Sequence, residues 1–359
     1  MHKSNLQAAN GKHAHPRLPL PPEKRRFNMK RIALIAALIG LTLGILSGCR
    51  QPETIGGAAP AFAETTDARR SIVCTTFPQY DWVRQILGGR ADEFDVTLLR
   101  DGRTDIHSFQ PTASDIVTIS TAEIFIHVGG DIDAWTADAL RNAANADMTV
   151  INLTEILGDA LEEGAITTAH TDDCDDDHYH DHAHGDGHIW LSLRNAAVFC
   201  EAIADALAPA DPQGAAEYRA NLAAYTEKLA ALDARYRYTL ESSGGGTLVF
   251  GGRFPFRYLM DDYGIDYYAA FPGCSADVEV SFGTIITLAD IIDEHGIGAI
   301  IVTDGADTAI AEVIAGNTQT GGQRILMMDA MQSVTRLGAT YLGIMENNLD
   351  VLAEALAIS

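Results

Sequence analysis

From residue 71 onward the chain alternates short apolar runs with segments whose apolar residues recur every three or four positions. The run at 71–75 (SIVCT) reads as a buried strand. Residues 77–87 follow as a helix, with Trp82, Val83, Ile86 and Leu87 at helical spacing. Gly88-Gly89 closes it. A second strand is predicted at 94–99, and Pro111-Thr112 opens a helix over 113–121. Residues 124–128 read as a strand ending at Gly129-Gly130, 132–144 as a helix and 148–153 as another strand. A helix at 193–207 is punctuated by Pro209 and Pro212.

Residues 212–241 then run without Gly or Pro after Gly214. Leu222, Tyr225, Leu229, Leu232 and Tyr236 keep one face, which predicts a helix of roughly 45 Å. A coiled coil is the alternative, but no repeated heptad supports it, so the helix reads as a rigid strut. SSGGG at 242–246 breaks the pattern, and strands at 247–250, 267–271, 299–303 and 325–328 alternate with helices at 256–263, 281–295, 308–318 and 339–356. Strand–helix alternation of this kind predicts an α/β protein with two doubly wound lobes, joined here by one long rigid helix. The expected division is an N-terminal extension and leader (1–48), a tether (49–70), an N-terminal lobe (71–211), the linking helix (212–243) and a C-terminal lobe (244–359). No internal repeat is evident.

The first 48 residues differ from the rest. Met29-Lys30-Arg31 precedes the apolar run IALIAALIGLTLGILSG, and residues 1–28 read as an upstream extension. The run ends in Leu46-Ser47-Gly48-Cys49, which resembles a bacterial lipobox; the resemblance implies lipid on Cys49 and display at the outer face of a membrane. A spanning helix is the alternative, since the run is borderline for a bilayer. The formal charge is −24; residues 1–48 contribute +7, which leaves −31 for the rest. Such a surface attracts cations and makes nucleic acid a poor partner. An exported chain permits disulfides. Of Cys74, Cys174, Cys200 and Cys274, a Cys200–Cys274 bridge is one option and two buried thiols the other; Cys174 is a candidate soft metal ligand.

The segment 170–191 reads HTDDCDDDHYHDHAHGDGHIWL. His170, His178, His180, His182, His184 and His188 stand among seven aspartates, with almost nothing to bury before Ile189. Imidazole beside carboxylate suits zinc and other divalent transition metals, against the bland alternative of a solvated acidic loop. The loop is expected to collect metal loosely, with His188 in a tighter site nearby. His107 lies past the end of a predicted strand, where ligands collect in open α/β sheets. Asp304 and Asp307 hold the same place after 299–303, and Glu279 follows the turn after 267–271. The plain alternatives are a solvent-facing His107, a turn residue at Asp304, an N-cap at Asp307 and a helix-dipole partner at Glu279. A cleft between the lobes would gather the four positions. There is no HExxH and no GxSxG, so a hydrolase lacks its signature.

TTFPQYDWVRQILGG, TDIHSFQPTASD, HIWLSLRNA, RFPFRYLMDDYGID and MENNLDVLAEAL occur in this order over 71–357. Together they resemble the zinc/manganese substrate-binding proteins of bacterial ABC importers, the cluster A-I solute receptors. The resemblance implies two lobes, one metal ion between them, delivery to an ABC permease, and no enzymatic activity. It implies His107 and His188 as ligands, with Asp307 or Asp304 from the C-terminal lobe. Many relatives carry a further histidine where this chain has Arg253 or Gly252, neither of which can ligate through its side chain. Water, Glu279, both aspartates or a loop histidine remain as the third ligand. Zinc is the expected cargo, with manganese left open, and the chain is expected to be a monomer. A surface zinc buffer or adhesin shares every one of these motifs.

Overall fold

The computed structural model describes residues 69–100, 106–158, 187–242, 246–271, 280–333 and 338–356. The leader, Cys49, Glu279, Cys174, Cys274 and the loop histidines 170–184 lie outside them. The N-terminal lobe is built from β1 (Arg70–Cys74), α1 (Phe77–Leu87), β2 (Phe94–Leu98), α2 (Ala113–Ser120), β3 (Ile124–His127), α3 (Thr136–Arg141), β4 (Thr149–Asn152) and α4 (Leu153–Leu157). Its four strands are all parallel, in the order β2-β1-β3-β4. Two helices follow, α5 (Leu193–Ala210) and α6 (Ala215–Glu241). The C-terminal lobe comprises β5 (Thr247–Phe250), α7 (Arg257–Tyr263), β6 (Asp266–Ala269), α8 (Phe282–His295), β7 (Ala299–Thr303), α9 (Ala309–Asn317), β8 (Arg324–Met328) and α10 (Tyr341–Ala355). Its strands are parallel too, ordered β6-β5-β7-β8. The two sheets share one topology, a structural repeat with no visible counterpart in the sequence. Each reverses direction of winding between its first and third strands, so each has a crevice at its strand C-termini.

Alternation along the strands decides what each face packs against. Ile72 and Cys74 of β1, Ile124 and Ile126 of β3, Leu248 and Phe250 of β5 and Ile301 of β7 all enter one buried apolar cluster with α5, α6 and α10. Their neighbours Val73 and Phe125 enter a second cluster with Ile119 and Ala139. Val249, Ile300 and Val302 enter a third with Leu288, Ile292 and Ile314. Each sheet therefore has a private outer core, and both inner faces share a third. Helix α6 is the spine of the shared core. Tyr218, Tyr225, Leu229, Leu232, Tyr236 and Leu240 form its buried line, and it touches α1 and α5 on one side and α7 and α10 on the other. It is embedded in both lobes along its length and so joins them, as the sequence predicts.

Polar pins cross the same seam. The Tyr236 hydroxyl donates to the Met345 carbonyl at 2.6 Å. The Tyr341 hydroxyl donates to the Trp190 carbonyl at 2.7 Å. Asp81 of α1 accepts the Tyr341 backbone N–H at 2.9 Å, which places an N-lobe carboxylate at the N-terminus of the C-lobe helix α10.

The expected helix at 132–144 is the largest departure. A 3-10 turn, Asp131–Asp133, comes first and α3 starts only at Thr136. The cause is Asp133, whose buried carboxylate turns inward to accept from Val128 N at 2.7 Å, the Thr75 hydroxyl at 2.9 Å and Arg100 at 2.7 Å. Helix α5 runs through Pro209 to Ala210 instead of stopping at 207, because a proline in the last turn forfeits only one bond. Among the described residues no helix is long and apolar enough to cross a membrane.

Candidate metal centre

His107 is held by its neighbours. After β2 the chain passes Arg100 and is described again from Ile106, which is buried, as is Phe109, while His107 and Ser108 between them are exposed. The Arg100 guanidinium, itself only 4% exposed, lies 4.9 Å over the Phe109 ring and pairs with Asp133. Phe109 also meets Trp135, with centroids 5.6 Å apart. Thr112 and Asp115 form a capping box that starts α2 directly afterwards. A turn anchored on both sides thus presents one imidazole.

His188 approaches from the other direction. It precedes the 3-10 turn Ile189–Leu191 and is 1% exposed. A Cβ on Gly187 would lie 2.4 Å from Ile132 Cδ1, so any larger residue there would have to displace the Ile132 side chain. The Trp190 ring packs edge-on to His188 at 5.1 Å, and its indole N–H donates to the Ala330 carbonyl at 3.0 Å. The His107 and His188 ring centroids are 5.3 Å apart, tilted by 56°. Two imidazoles on one tetrahedral zinc, with Zn–N of about 2.1 Å and about 1.1 Å from nitrogen to centroid, have centroids about 5.2 Å apart. The observed spacing of the two rings matches that requirement.

The C-terminal lobe supplies carboxylates less directly. Asp304 is half-buried at the end of β7, with its N–H on the Met328 carbonyl at 2.7 Å. It lines a cavity of about 210 Å³ together with Asp329, Met327, Ile344, Asn347 and Asn348. Asp307 is exposed, and its carboxylate accepts the Ala309 N–H at 2.9 Å from one residue ahead of Thr308, which takes the N-cap position of α9. The Arg253 carbonyl accepts from the Thr303 hydroxyl at 3.2 Å. Among the described residues no three His, Cys, Asp or Glu side chains converge as a closed metal cluster. The structure brings His107 and His188 together, while Asp304 ends up against the Asp329 cavity and Asp307 at the start of α9. Cys200 is a fully buried thiol, and Cys274, its candidate partner in a bridge, lies outside the described residues. Cys200 faces the shared core from α5, and burial pushes its pKa up.

Two residues were not picked out from the sequence. Asp329 immediately follows β8, the same strand-end position that singled out His107 and Asp304. Its N–H donates to Asn348 Oδ1 at 2.9 Å, and its Oδ1 accepts the Met331 N–H at 2.7 Å. Gln332 lies three residues on, with its Nε2 2.6 Å from His188 Nε2. MMDAMQS carries no pattern that marks a glutamine, but the strand-end rule applied to β8 would have found Asp329.

The family profile described as "Zinc-uptake complex component A periplasmic", ZnuA, matches residues 72–355. Zinc-binding protein AdcA of Streptococcus pyogenes serotype M3 is 27% identical over 297 residues, 80% of this chain and 56% of that protein. The high-affinity zinc uptake system protein ZnuA of Bacillus subtilis is 26% identical over 318 residues, 88% of this chain and 94% of that protein. The crystal structure of the Zn(II)-bound ZnuA-like domain of Streptococcus pneumoniae AdcA superposes with a TM-score of 0.63 at 25% identity, covering 80% of this chain and 99% of that one. This chain spans little more than half the length of its streptococcal AdcA relatives.

Proposed function

From the zinc-uptake component A family, to which this chain belongs, we propose that it is an extracytoplasmic receptor that captures Zn²⁺ and hands it to an ABC permease. The observation that carries the reading is the His107–His188 pair, spaced for one tetrahedral ion and facing the C-terminal lobe through Gln332. Neutral imidazoles favour zinc, and carboxylates from Asp304 or Asp329, or Glu279, complete the set; manganese is the competing cargo. Cys49 carries the lipid, and the histidines from His170 to His184 raise the local metal concentration. The protein acts as a monomer without turnover of its own.

The test is competitive Zn²⁺ and Mn²⁺ titration of the unlipidated chain, of H107A and H188A, and of a chain lacking residues 172–186. Losing a residue that merely supports a ligand costs about 10–100-fold in affinity, so losing a ligand itself should exceed that. H107A and H188A should therefore weaken zinc by more than 100-fold, while the loop deletion keeps one tight site. Unchanged zinc affinity in both histidine variants refutes the site. Zinc uptake by cells with and without the chain separates a receptor from a surface buffer.

A further inference from the structure

The Gln332–His188 contact crosses between the lobes. His188 precedes the helix that closes the N-terminal lobe; Gln332 follows the last strand of the C-terminal lobe. A zinc–imidazole bond is about 2.1 Å long, so a carboxamide 2.6 Å from His188 Nε2 stands inside the sphere a metal on that atom would occupy. Whichever way the amide is turned, the atom is used: the amide N–H donates to its lone pair, or its N–H donates to the amide oxygen. The group that holds this ring in the metal-free protein must leave before the metal can take it.

The turn that presents Gln332 is built for the purpose. Met331 has φ +58°, and it is the only non-glycine residue with positive φ among the described residues. A left-handed methionine is strained and persists only where its surroundings hold it. They do so here at each neighbouring position. Asn348 Nδ2 donates to the Asp329 carbonyl at 2.8 Å and Asn348 Oδ1 accepts its N–H. Asp329 Oδ1 accepts the Met331 N–H, and the Ala330 carbonyl accepts the Trp190 indole N–H. Met331 itself is 1% exposed. Trp190 and Gln332 thus tie the same turn to both sides of His188.

We propose that residues 329–332 form a latch in which Gln332 competes with the metal for His188 and sets the affinity low enough for the cargo to be released. When metal arrives, Gln332 leaves the imidazole; when Gln332 returns, the metal loses a ligand. This rests on the proposed role of His188 in metal binding. The test measures zinc affinity and on-rate for wild type, Q332A and Q332M, together with melting temperature with and without zinc. H107A and H188A serve as controls.

A net hydrogen bond removed from the metal-free state should tighten zinc by about 2- to 10-fold. Q332A and Q332M should both tighten zinc, raise the on-rate and lower the melting temperature of the metal-free protein only. Weaker zinc binding in both variants would make Gln332 a ligand or an orienting group and overturn the latch, as would unchanged affinity. Equal losses of melting temperature with and without zinc would show a merely structural contact and overturn it too. Failure of H188A to weaken zinc would sink the receptor reading itself, a result distinct from any of these.

Discussion

Tyr341→Phe removes one oxygen from the seam between the lobes and leaves the ring. The phenol is fully buried, its hydroxyl donates to the Trp190 carbonyl at 2.7 Å, and its ring meets Trp82 with centroids 5.1 Å apart. Phenylalanine preserves that ring contact, so the loss is confined to the hydrogen bond and the buried carbonyl left without it. A net bond contributes about 1 kcal/mol and an orphaned buried acceptor costs about 1–3 kcal/mol, which together suggest about 2 kcal/mol. Unfolding entropy of about 2.1 cal/mol/K per residue over roughly 290 residues makes this about 3 °C in Tm. Scanning calorimetry on the metal-free chain gives the readout, with Tyr238→Phe as a control at a hydroxyl on a 78% exposed ring. The shared core predicts more than the size of the shift. Both lobes should melt in one transition, and the variant should move the whole of it. Two transitions, of which only one shifts, would refute the claim that a single core serves both lobes.

Other perturbations test other parts of the structure. Arg100→Met leaves Asp133 buried without its cation and should cost about 3–5 kcal/mol in urea denaturation; because Arg100 also covers Phe109 beside His107, zinc binding should weaken as well, and intact binding would separate the two roles. Gly251→Ala places a Cβ 2.6 Å from Ala311 Cβ and 2.9 Å from Ala311 Cα, an overpacking that should cost about 1–3 kcal/mol in the same assay; a neutral result would mean that β5 and α9 can separate freely. For Asp211, burial pushes the carboxyl up, but the Tyr218 hydroxyl, Arg90 and Arg70 outweigh it, so its folded pKa lies below the usual value. That stabilisation is present above the unfolded pKa of about 3.9 and disappears as pH falls through the folded one. Asp211→Asn should therefore melt lower than wild type at neutral pH, with the gap closing on acidification below about pH 4; a gap independent of pH would contradict this.

What the sequence made legible follows from local rules. Strands β5 and β7 were expected at the bounds they have, since short apolar runs between glycine or proline signals leave little choice. The long helix was legible from Tyr225, Leu229, Leu232 and Tyr236 because a single buried face sets its period. The broken helix around Asp133 was not, because its cause is a carboxylate bonded to Thr75, 58 residues earlier in the chain. The strand-end rule singled out His107, and the change from polar loop to Ile189-Trp190-Leu191 singled out His188; the fold sets the two rings side by side. The third contact to that pair is a glutamine, whose chemistry carries no signature in sequence and appears only once β8 and the helix after His188 are folded together.

The shared core and the latch bear on one question, how the proposed receptor would let its cargo go. Opening the lobes as rigid bodies would pull α6 from one partner or the other and expose its line of buried tyrosines and leucines. At roughly 1.5–3 kcal/mol for each large apolar side chain, separating even three of them exceeds what loss of one metal ligand could supply. Moving the Gln332 side chain off His188 breaks far less. The bonds from Asn348 and Trp190 hold the turn's backbone, Met331 included, while that side chain moves. Hydrogen exchange reads the difference directly. Zinc should change protection at 329–332 and around His107 and leave α6 untouched. Broad exchange along α6 in the metal-free protein would mean that the lobes do swing apart, and that the spine is a hinge.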